Sequence, residues 1–342
     1  MSKPLAIQIN DVHIKKENVE QVLDITNQLI STCNELNVNT VFIAGDVFES
    51  RTSQRLEVLN AFLQMLNLFN GNGITCYTIP GNHDKTRYDS EDSFLDTFKY
   101  HPAIKLMRDY EKVNIGGISC HFMPFFDEKM FLDKFNPEIE AGKKNILITH
   151  VAITGSRNND GTLVELSLSV NTFEGFDRIF SGHYHDYQVI KDKFIHCPSP
   201  YQANYGEDEK KGFTVIYNDL TYEIKIANFP KFKKIKVNLD EVKKDELDDL
   251  IKENSLSNDN VRFEIIGSES KIKAIKKDKF IAAGIDVKTK VKEIDDSLIY
   301  AEKDEIVSFN NASLMEEFKE FCKKNELDYS EGVKYLEKKI NG

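Results

Sequence analysis

The stretch "TIPGNHDKTR", Thr78–Arg87, decides how this chain is read. Thr78, Ile79 and Pro80 close an apolar run of strand character, and a single glycine then sets Asn82, His83 and Asp84 side by side. Gly-Asn pairs are ordinary turn formers, because Asn tolerates left-handed backbone angles. A turn alone does not require an imidazole and a carboxylate beside the amide. The reading therefore rests on whether other segments supply partners for these side chains.

Four further segments do. "LAIQIN" (Leu5–Asn10) is a short apolar strand that delivers Asp11 and His13, and "TVFIAGD" (Thr40–Asp46) ends on Asp46. "NILITH" (Asn145–His150) ends on His150, and "RIFSGHYH" (Arg178–His185) carries His183 and His185. In open α/β sheets ligands collect outside the carboxyl ends of the strands. Asp11, His13, Asp46, Asn82, His83, His150, His183 and His185 can thus converge although they span most of the domain. Carboxylate and amide oxygens mixed with imidazoles suit manganese, iron or zinc better than a thiolate-preferring ion. Eight such groups are too many for one ion and divide between two, with one carboxylate bridging. Two metals about 3.5–4 Å apart activate water and clamp the attacking and leaving oxygens of a phosphoryl displacement.

Composition bounds the rest. A chain of 342 residues is long enough for two domains and an appendage. Its net charge of −11 argues against non-specific wrapping of nucleic acid, which draws on clustered Lys and Arg. Local contact stays open through "KFKKIK" (Lys231–Lys236) and "KIKAIKKDK" (Lys271–Lys279), although lysine runs by themselves read as solvated faces. The five cysteines are odd in number, scattered and free of any Cys-x-x-Cys pair, which argues against disulfides or a thiolate zinc site and fits a reducing cytosol. No apolar run suits a signal peptide or a bilayer crossing, so a soluble cytoplasmic protein without a membrane partner is expected.

Along the chain, the first two hundred or so residues alternate strands with helices, the pattern of a layered α/β domain. Helices are predicted over Glu17–Asn37 and Ser53–Phe69 from apolar residues near helical period. From His185 to about Phe229, "FIHCPSP", "GFTVIYN" and "TYEIKIANF" predict a mostly antiparallel closing sheet. Beyond Pro230 a small α/β unit is expected, with helices over Lys244–Asn254 and Ser270–Ala283. Asn311–Ile340 reads as two short helices, the first with the capping-box spacing of Ser313 and Glu316, the second capped by Ser330. The expected division is 1–229, 230–307 and 308–342.

In this order, "DVH", "GDVF", "GNHD", His150 and "GHYH" resemble the calcineurin-like metallophosphoesterase superfamily. Within it, "GDVFESR" (Gly45–Arg51), "GNHD" and "PSPYQANYGEDEKKGF" (Pro198–Phe213) look most like the SbcD, or meiotic recombination eleven, nuclease family in its bacterial and phage versions. The resemblance is strong over about Leu5–Phe229 and rests on domain order beyond. It implies a layered α/β fold of two central mixed sheets flanked by helices, a small α/β capping domain and a C-terminal helical segment. It implies that Asp11, His13 and His185 hold one metal and Asn82, His150 and His183 the other, with Asp46 bridging and His83 catalytic. Asp84 either orients His83 or caps the turn. The implied metal is manganese, in a donor set that also accepts magnesium, iron or zinc. The implied activity is exo- and endonucleolytic cleavage of DNA phosphodiesters, as the nuclease subunit of an SbcCD-type complex in end processing, break repair and recombination.

One position departs from the archaeal and eukaryotic pattern: Glu49 stands where those relatives carry a histidine three residues after the bridging aspartate. It agrees with the bacterial and phage branch and leaves the catalytic role of the position open. His101, His121 and His196 match no motif and are assigned no role. The apolar helix over Ser53–Phe69, with Phe94, Leu95 and Phe98, is either a buried core element or the interface of the family's homodimer. The C-terminal helices either dock on their own domain or bind an SbcC-like coiled-coil ATPase, which would supply the basic DNA surface this acidic chain lacks. Lys271, Lys273, Lys276 and Lys277 are candidate phosphate contacts. Two other readings remain: another phosphoesterase (a phosphatase or cyclic-nucleotide phosphodiesterase), opposed by "GDVFESR" and "GNHD", and a non-catalytic scaffold, opposed by a complete ligand set.

Overall fold

Pro4–Ile9 is buried at every position after the first, as are Thr40–Ala44 and, throughout, Asn145–Thr149. Continuous apolar runs of this kind mark strands covered on both faces, the situation of parallel strands in a layered domain. The structure, a computed structural model, describes residues 2–158, 161–292 and position 323. The chain runs β1 (Pro4–Ile9), α1 (Val19–Leu36), β2 (Thr40–Ala44), α2 (Leu56–Gly71), β3 (Thr75–Ile79) and β4 (Ile104–Leu106). These strands are parallel neighbours in the order β1-β2-β3-β4. A second sheet follows from β5 (Glu111–Ile115), β6 (Ile118–Met123), α3 (Glu128–Lys134), β7 (Asn145–Thr149), β8 (Arg178–Ser181), β9 (Gln188–Ile190) and β10 (Phe194–His196), in the order β5-β6-β7-β8-β10-β9. Then β11 (Gly212–Tyr217) and β12 (Tyr222–Ile226) return to the first sheet beside β1.

Both six-stranded sheets are mixed, and they face each other across Phe42, Ala44, Ile79, Phe122, Ile148 and Phe180. The outer face of the first sheet is covered by α1 and α2 through residues such as Val22, Ile25, Phe62 and Phe69. The outer face of the second is covered by an aromatic cluster that includes Phe131, Phe173 and Phe176. The expected layered α/β fold of two mixed central sheets flanked by helices is the fold of the chain. On α2, Phe62 and Met65 face the core whereas Leu56 and Leu63 are exposed, and Leu95 and Phe98 are buried in the same core.

A third sheet of parallel strands β13 (Phe232–Asn238), β14 (Asn260–Gly267) and β15 (Asp286–Val291) carries α4 (Lys244–Ser255), α5 (Glu269–Ala274) and α6 (Asp278–Ala282) on its own small core around Phe263 and Phe280. Met1–Val291 forms one compact unit. Two expectations change. The strands after His185 do not form a sheet of their own: β10 lies parallel to β8, and β11 pairs antiparallel with β1. The backbone groups of β11, a strand buried at all but its last position, are paired on both edges, by β1 and by β12. The helix expected over Ser270–Ala283 is two helices, because Ile275 adopts an extended conformation and packs against the small core. The tail helices with Ser313, Glu316 and Ser330, and the segment 308–342, lie outside the described residues. No described helix is long and apolar enough to cross a membrane.

Candidate metal centre

Five strands end one or a few residues before a polar side chain: β1 before Asp11, β2 before Asp46, β3 before Asn82, β7 before His150 and β8 before His183. The first two loops are laced together by Asp11 N–H to Gly45 O (3.0 Å), His13 N–H to Asp46 O (3.0 Å) and Ile14 N–H to Val47 O (2.8 Å). Along them the backbone is forced left-handed at Asp11 (φ 52°), His13 (φ 47°) and Asp46 (φ 53°), and again at His183 (φ 89°). Such conformations cost about 1–3 kcal/mol each in non-glycine residues and persist only where the surroundings over-determine them. Here the strain turns four polar side chains toward one point.

Potential ligand atoms of Asp11, His13 and His185, of His13, Asp46 and His83, and of Asp46, His150 and His183 each lie within 4.8 Å of one another. Asn82 Oδ1 stands 3.0 Å from His183 Nδ1. His150 Nδ1–H donates to Ala44 O (2.8 Å), which turns its Nε2 toward Asp46 Oδ2 at 3.2 Å. His185 Nδ1 is bound to Glu207 Oε1 (2.9 Å), and His13 Nδ1 lies 2.9 Å from Glu49 Oε2, so the two Nε2 atoms meet at 3.1 Å. Imidazoles whose outer nitrogens face carboxylates or carbonyls and whose inner nitrogens crowd together beside carboxylate oxygens are arranged as metal ligands are. The buried oxygen and nitrogen donors fit divalent cations.

The electrostatics agree. Burial disfavours a charged His150, yet Asp46 and Asp11 outweigh it and raise its pKa to about 9. His13 is likewise opposed by burial and raised to about 9 by Glu49, Asp46 and Asp11. Burial would push Asp46 up, but His150 and His13 hold it well below the usual carboxylate range. The carboxylates thus demand positive charge at the centre. Burial, reinforced by His150, drops His183 to about 4 and keeps it neutral, the form that binds a metal.

The "GNHD" turn is threaded against Asp46. His83 N–H donates to Asp46 Oδ1 (2.8 Å), and a Cβ on Gly81 would stand 2.2 Å from that same oxygen, so only glycine fits. The His83 ring points outward, with Nδ1 2.6 Å from Glu49 O and Nε2 2.8 Å from the Arg51 guanidinium. Burial lowers its pKa. Asp84 is fully buried and accepts from the backbone N–H groups of Gly81 (2.9 Å), Phe48 (3.0 Å) and Val47 (3.3 Å). Those are the contacts of a cap that pins two loops together; its carboxylate is not directed at His83. The centre opens onto a cleft of about 620 Å³ walled by Lys15, Arg51, Tyr201, Asn204 and, from the third sheet, Phe232 and Asn260.

Residues 6–187, more than half of the chain, match the calcineurin-like phosphoesterase family. The chain belongs to that family. A curated relative, the SbcD component of the nuclease SbcCD from Staphylococcus saprophyticus, is 26% identical over 234 residues, which cover 59% of this chain and 61% of the relative. The chain therefore spans less than two thirds of that relative's length. Among solved structures, a dimetal phosphatase from Danio rerio aligns with 10% identity and a TM-score of 0.42 over 64% of this chain and 93% of its own. The calcineurin-like phosphoesterase YfkN from Bacillus subtilis aligns with 14% identity and a TM-score of 0.39 over 65% of this chain and 88% of its own.

Within this phosphoesterase site the structure adds residues that no motif reading singled out. Glu207 and Lys211, both with buried side chains, hold the His185 segment: Lys211 Nζ donates to His185 O (2.6 Å) and Asp186 Oδ1 (2.7 Å) and pairs with Glu207 at 3.1 Å. In the sequence they sit in "GEDEKKG", where a charged loop and a buried ion pair look alike. Arg51, at the end of "GDVFESR", partners His83. The unassigned histidines lie elsewhere: His121 joins Tyr110 and Asn145, His196 joins Ser156, and His101 meets Asn67. Of the lysines considered for phosphate contact, Lys271 is engaged with Leu239 O and Asp240, and Lys273 with Glu269.

Proposed function

We propose that this phosphoesterase is a two-metal DNA nuclease, cleaving phosphodiester bonds as the nuclease subunit of an SbcCD-type complex in DNA end processing and recombination. The observation that carries the reading is the convergence of imidazole nitrogens and carboxylate oxygens from five strand ends beside an outward-facing His83. The 26% identity to a protein named as part of the nuclease SbcCD supports the choice of substrate.

In this reading Asp11, His13 and His185 hold one ion, Asn82, His150 and His183 the other, and Asp46 both. Manganese is the proposed metal. Bound there, two divalent cations supply an acidified water and charge against the phosphate oxygens. The chain's own part falls to the rim. Glu49 O fixes the His83 ring through Nδ1–H, which leaves Nε2 as the reactive nitrogen. Arg51, now donating to Nε2, is a guanidinium suited to a phosphate oxygen. When it turns to the substrate, Nε2 is freed to take up a proton from water and, as the imidazolium, to stabilise the developing charge or deliver that proton to the leaving 3′ oxygen. Asp84 acts behind the site as the pin of the turn.

The proposed organisation keeps a nuclease body (1–229), a capping unit (230–307) and a partner-binding tail (308–342), with a homodimer through the exposed side of α2, an SbcC-like ATPase partner and a cytoplasmic setting. The test is manganese-dependent cleavage of a labelled DNA duplex by the wild-type chain and by His83→Ala, alone and with the ATPase. Cleavage should fall about 10²–10⁴-fold in the variant with metal content unchanged. Turnover of a phosphomonoester without cleavage of any DNA would move the function to another phosphoesterase.

A further inference from the structure

The loop Tyr201–Lys211 holds His185 through Glu207 and reaches the Asp11–His13 turn through that turn's backbone. The Tyr201 hydroxyl donates to Val12 O, between Asp11 and His13, and receives Asn18 Nδ2, which also donates to His13 O (3.0 Å). Glu207 binds His185 Nδ1 (2.9 Å) and is itself fixed by Ala203 N–H (3.0 Å), Asn204 Nδ2 (2.9 Å) and Lys211. The ligands of the other ion are braced largely by other elements. His150 leans on Ala44 O, the His183 N–H on the Asp11 carboxylate and the His183 ring on Phe125.

The same loop carries the third sheet. Gln202 Oε1 accepts Phe232 N–H from β13 (2.8 Å) while its Nε2 donates to Glu207 O (2.9 Å). The Tyr205 ring meets Phe232 edge-on at 4.9 Å and lies under the Arg262 guanidinium of β14 at 3.8 Å; Arg262 is held in turn by Asp286 of β15. A partly buried guanidinium on an aromatic face is a directional contact, which lysine does not reproduce.

We propose that Glu207 is a positioning residue for His185, and that its loop makes one half of the two-metal centre, Asp11–His13–His185, depend on the seating of the third sheet more strongly than the Asn82–His150–His183 half does. The inference rests on the two-ion assignment above, and its test needs no nucleic acid. Coupling of this kind is reciprocal: whatever the seated sheet adds to metal affinity, the metal returns to the sheet.

The experiment titrates the metal-free full chain with Mn2+, following free ion by electron paramagnetic resonance, and identifies the dependent event as the one lost in His185→Asn. Glu207→Gln should weaken that event about 10–100-fold, as loss of a ligand's outer partner does. Arg262→Ala and Arg262→Lys should weaken it about fivefold or more and weaken the other event distinctly less. Lys279→Ala, which breaks an ion pair with Asp248 on the far helices, should change neither. Conversely, Mn2+ should slow amide exchange in β13 and β14. Wild-type affinity in the Arg262 variants, or equal weakening of both events in a folded protein, overturns the coupling. Wild-type affinity in Glu207→Gln overturns the positioning role. Loss of DNA cleavage or its absence bears on neither, so failure of the nuclease reading remains separable.

Discussion

Gly81→Ala places a methyl group where the centre has no room. The new Cβ would stand 2.2 Å from Asp46 Oδ1 and 2.4 Å from Asp46 N, against the 3.0 Å below which such contacts essentially do not occur. The backbone nitrogen is held by the lacing of the first two loops, so the carboxylate must withdraw by about 1 Å or the "GNHD" turn must lift. Over-packing of this kind costs about 1–3 kcal/mol of stability. The functional cost is larger, because Asp46 is shared by both proposed ions and its oxygen also receives His83 N–H. A misplacement of about 1 Å is worth about 10²-fold in rate. The variant should therefore remain folded, bind both Mn2+ ions more weakly in a calorimetric titration, and hydrolyse a chromogenic phosphodiester about 10²-fold more slowly. Gly71→Ala, at the end of α2 with open space around its Cβ, is the matched control and should leave both unchanged. Wild-type metal affinity in Gly81→Ala would refute the close approach as the determinant of the site.

Two more predictions concern residues behind the site. Asp84→Ala strips three buried N–H groups of their acceptor, at about 1–3 kcal/mol each, and should lower the thermal midpoint far more than Asp84→Asn, which keeps one acceptor oxygen. His196 is pushed down to about 3, chiefly by burial. Because its folded pKa lies below the unfolded value near 6.5, the stability it protects is present above pH 6.5 and lost as pH falls toward 3. Denaturant titrations of the metal-free chain at pH 7.5 and pH 5 should show a smaller loss in His196→Gln than in the wild type.

The parts of the site that were legible are those where chemistry leaves little choice of residue. Asp11, His13, Asp46, Asn82, His150, His183 and His185 each lie within four residues of a strand's end, and polarity at the end of a buried strand is visible without coordinates. Glu207 and Lys211 were not legible, since their role depends on burial produced by a fold-back of more than twenty residues onto His185. The two uses considered for Asp84, cap and orienter, differ only in direction, which a sequence does not carry. The same holds for the fold. Parallel strands with helical crossovers announce themselves by continuous apolar runs. The hairpin of β5 and β6 was passed over because its first strand is mostly partly exposed and only its Gly116-Gly117 turn, both residues left-handed, marks it. The return of β11 to β1 pairs residues some two hundred positions apart, beyond any local pattern.

The left-handed aspartates and histidines also bear on when the centre can exist. His13 and His185 are 172 residues apart, and the groups that press Asp11 and Asp46 into their angles come from both sheets. During synthesis, then, the first loops leave the ribosome long before their opposing ligands do, and a chain interrupted before β8 lacks His183 and His185, one ligand assigned to each ion. Non-local closure of this order is slow and comes last. On the proposed two-ion assignment, complete capture of metal therefore waits for the loop after β8 to close against the first sheet.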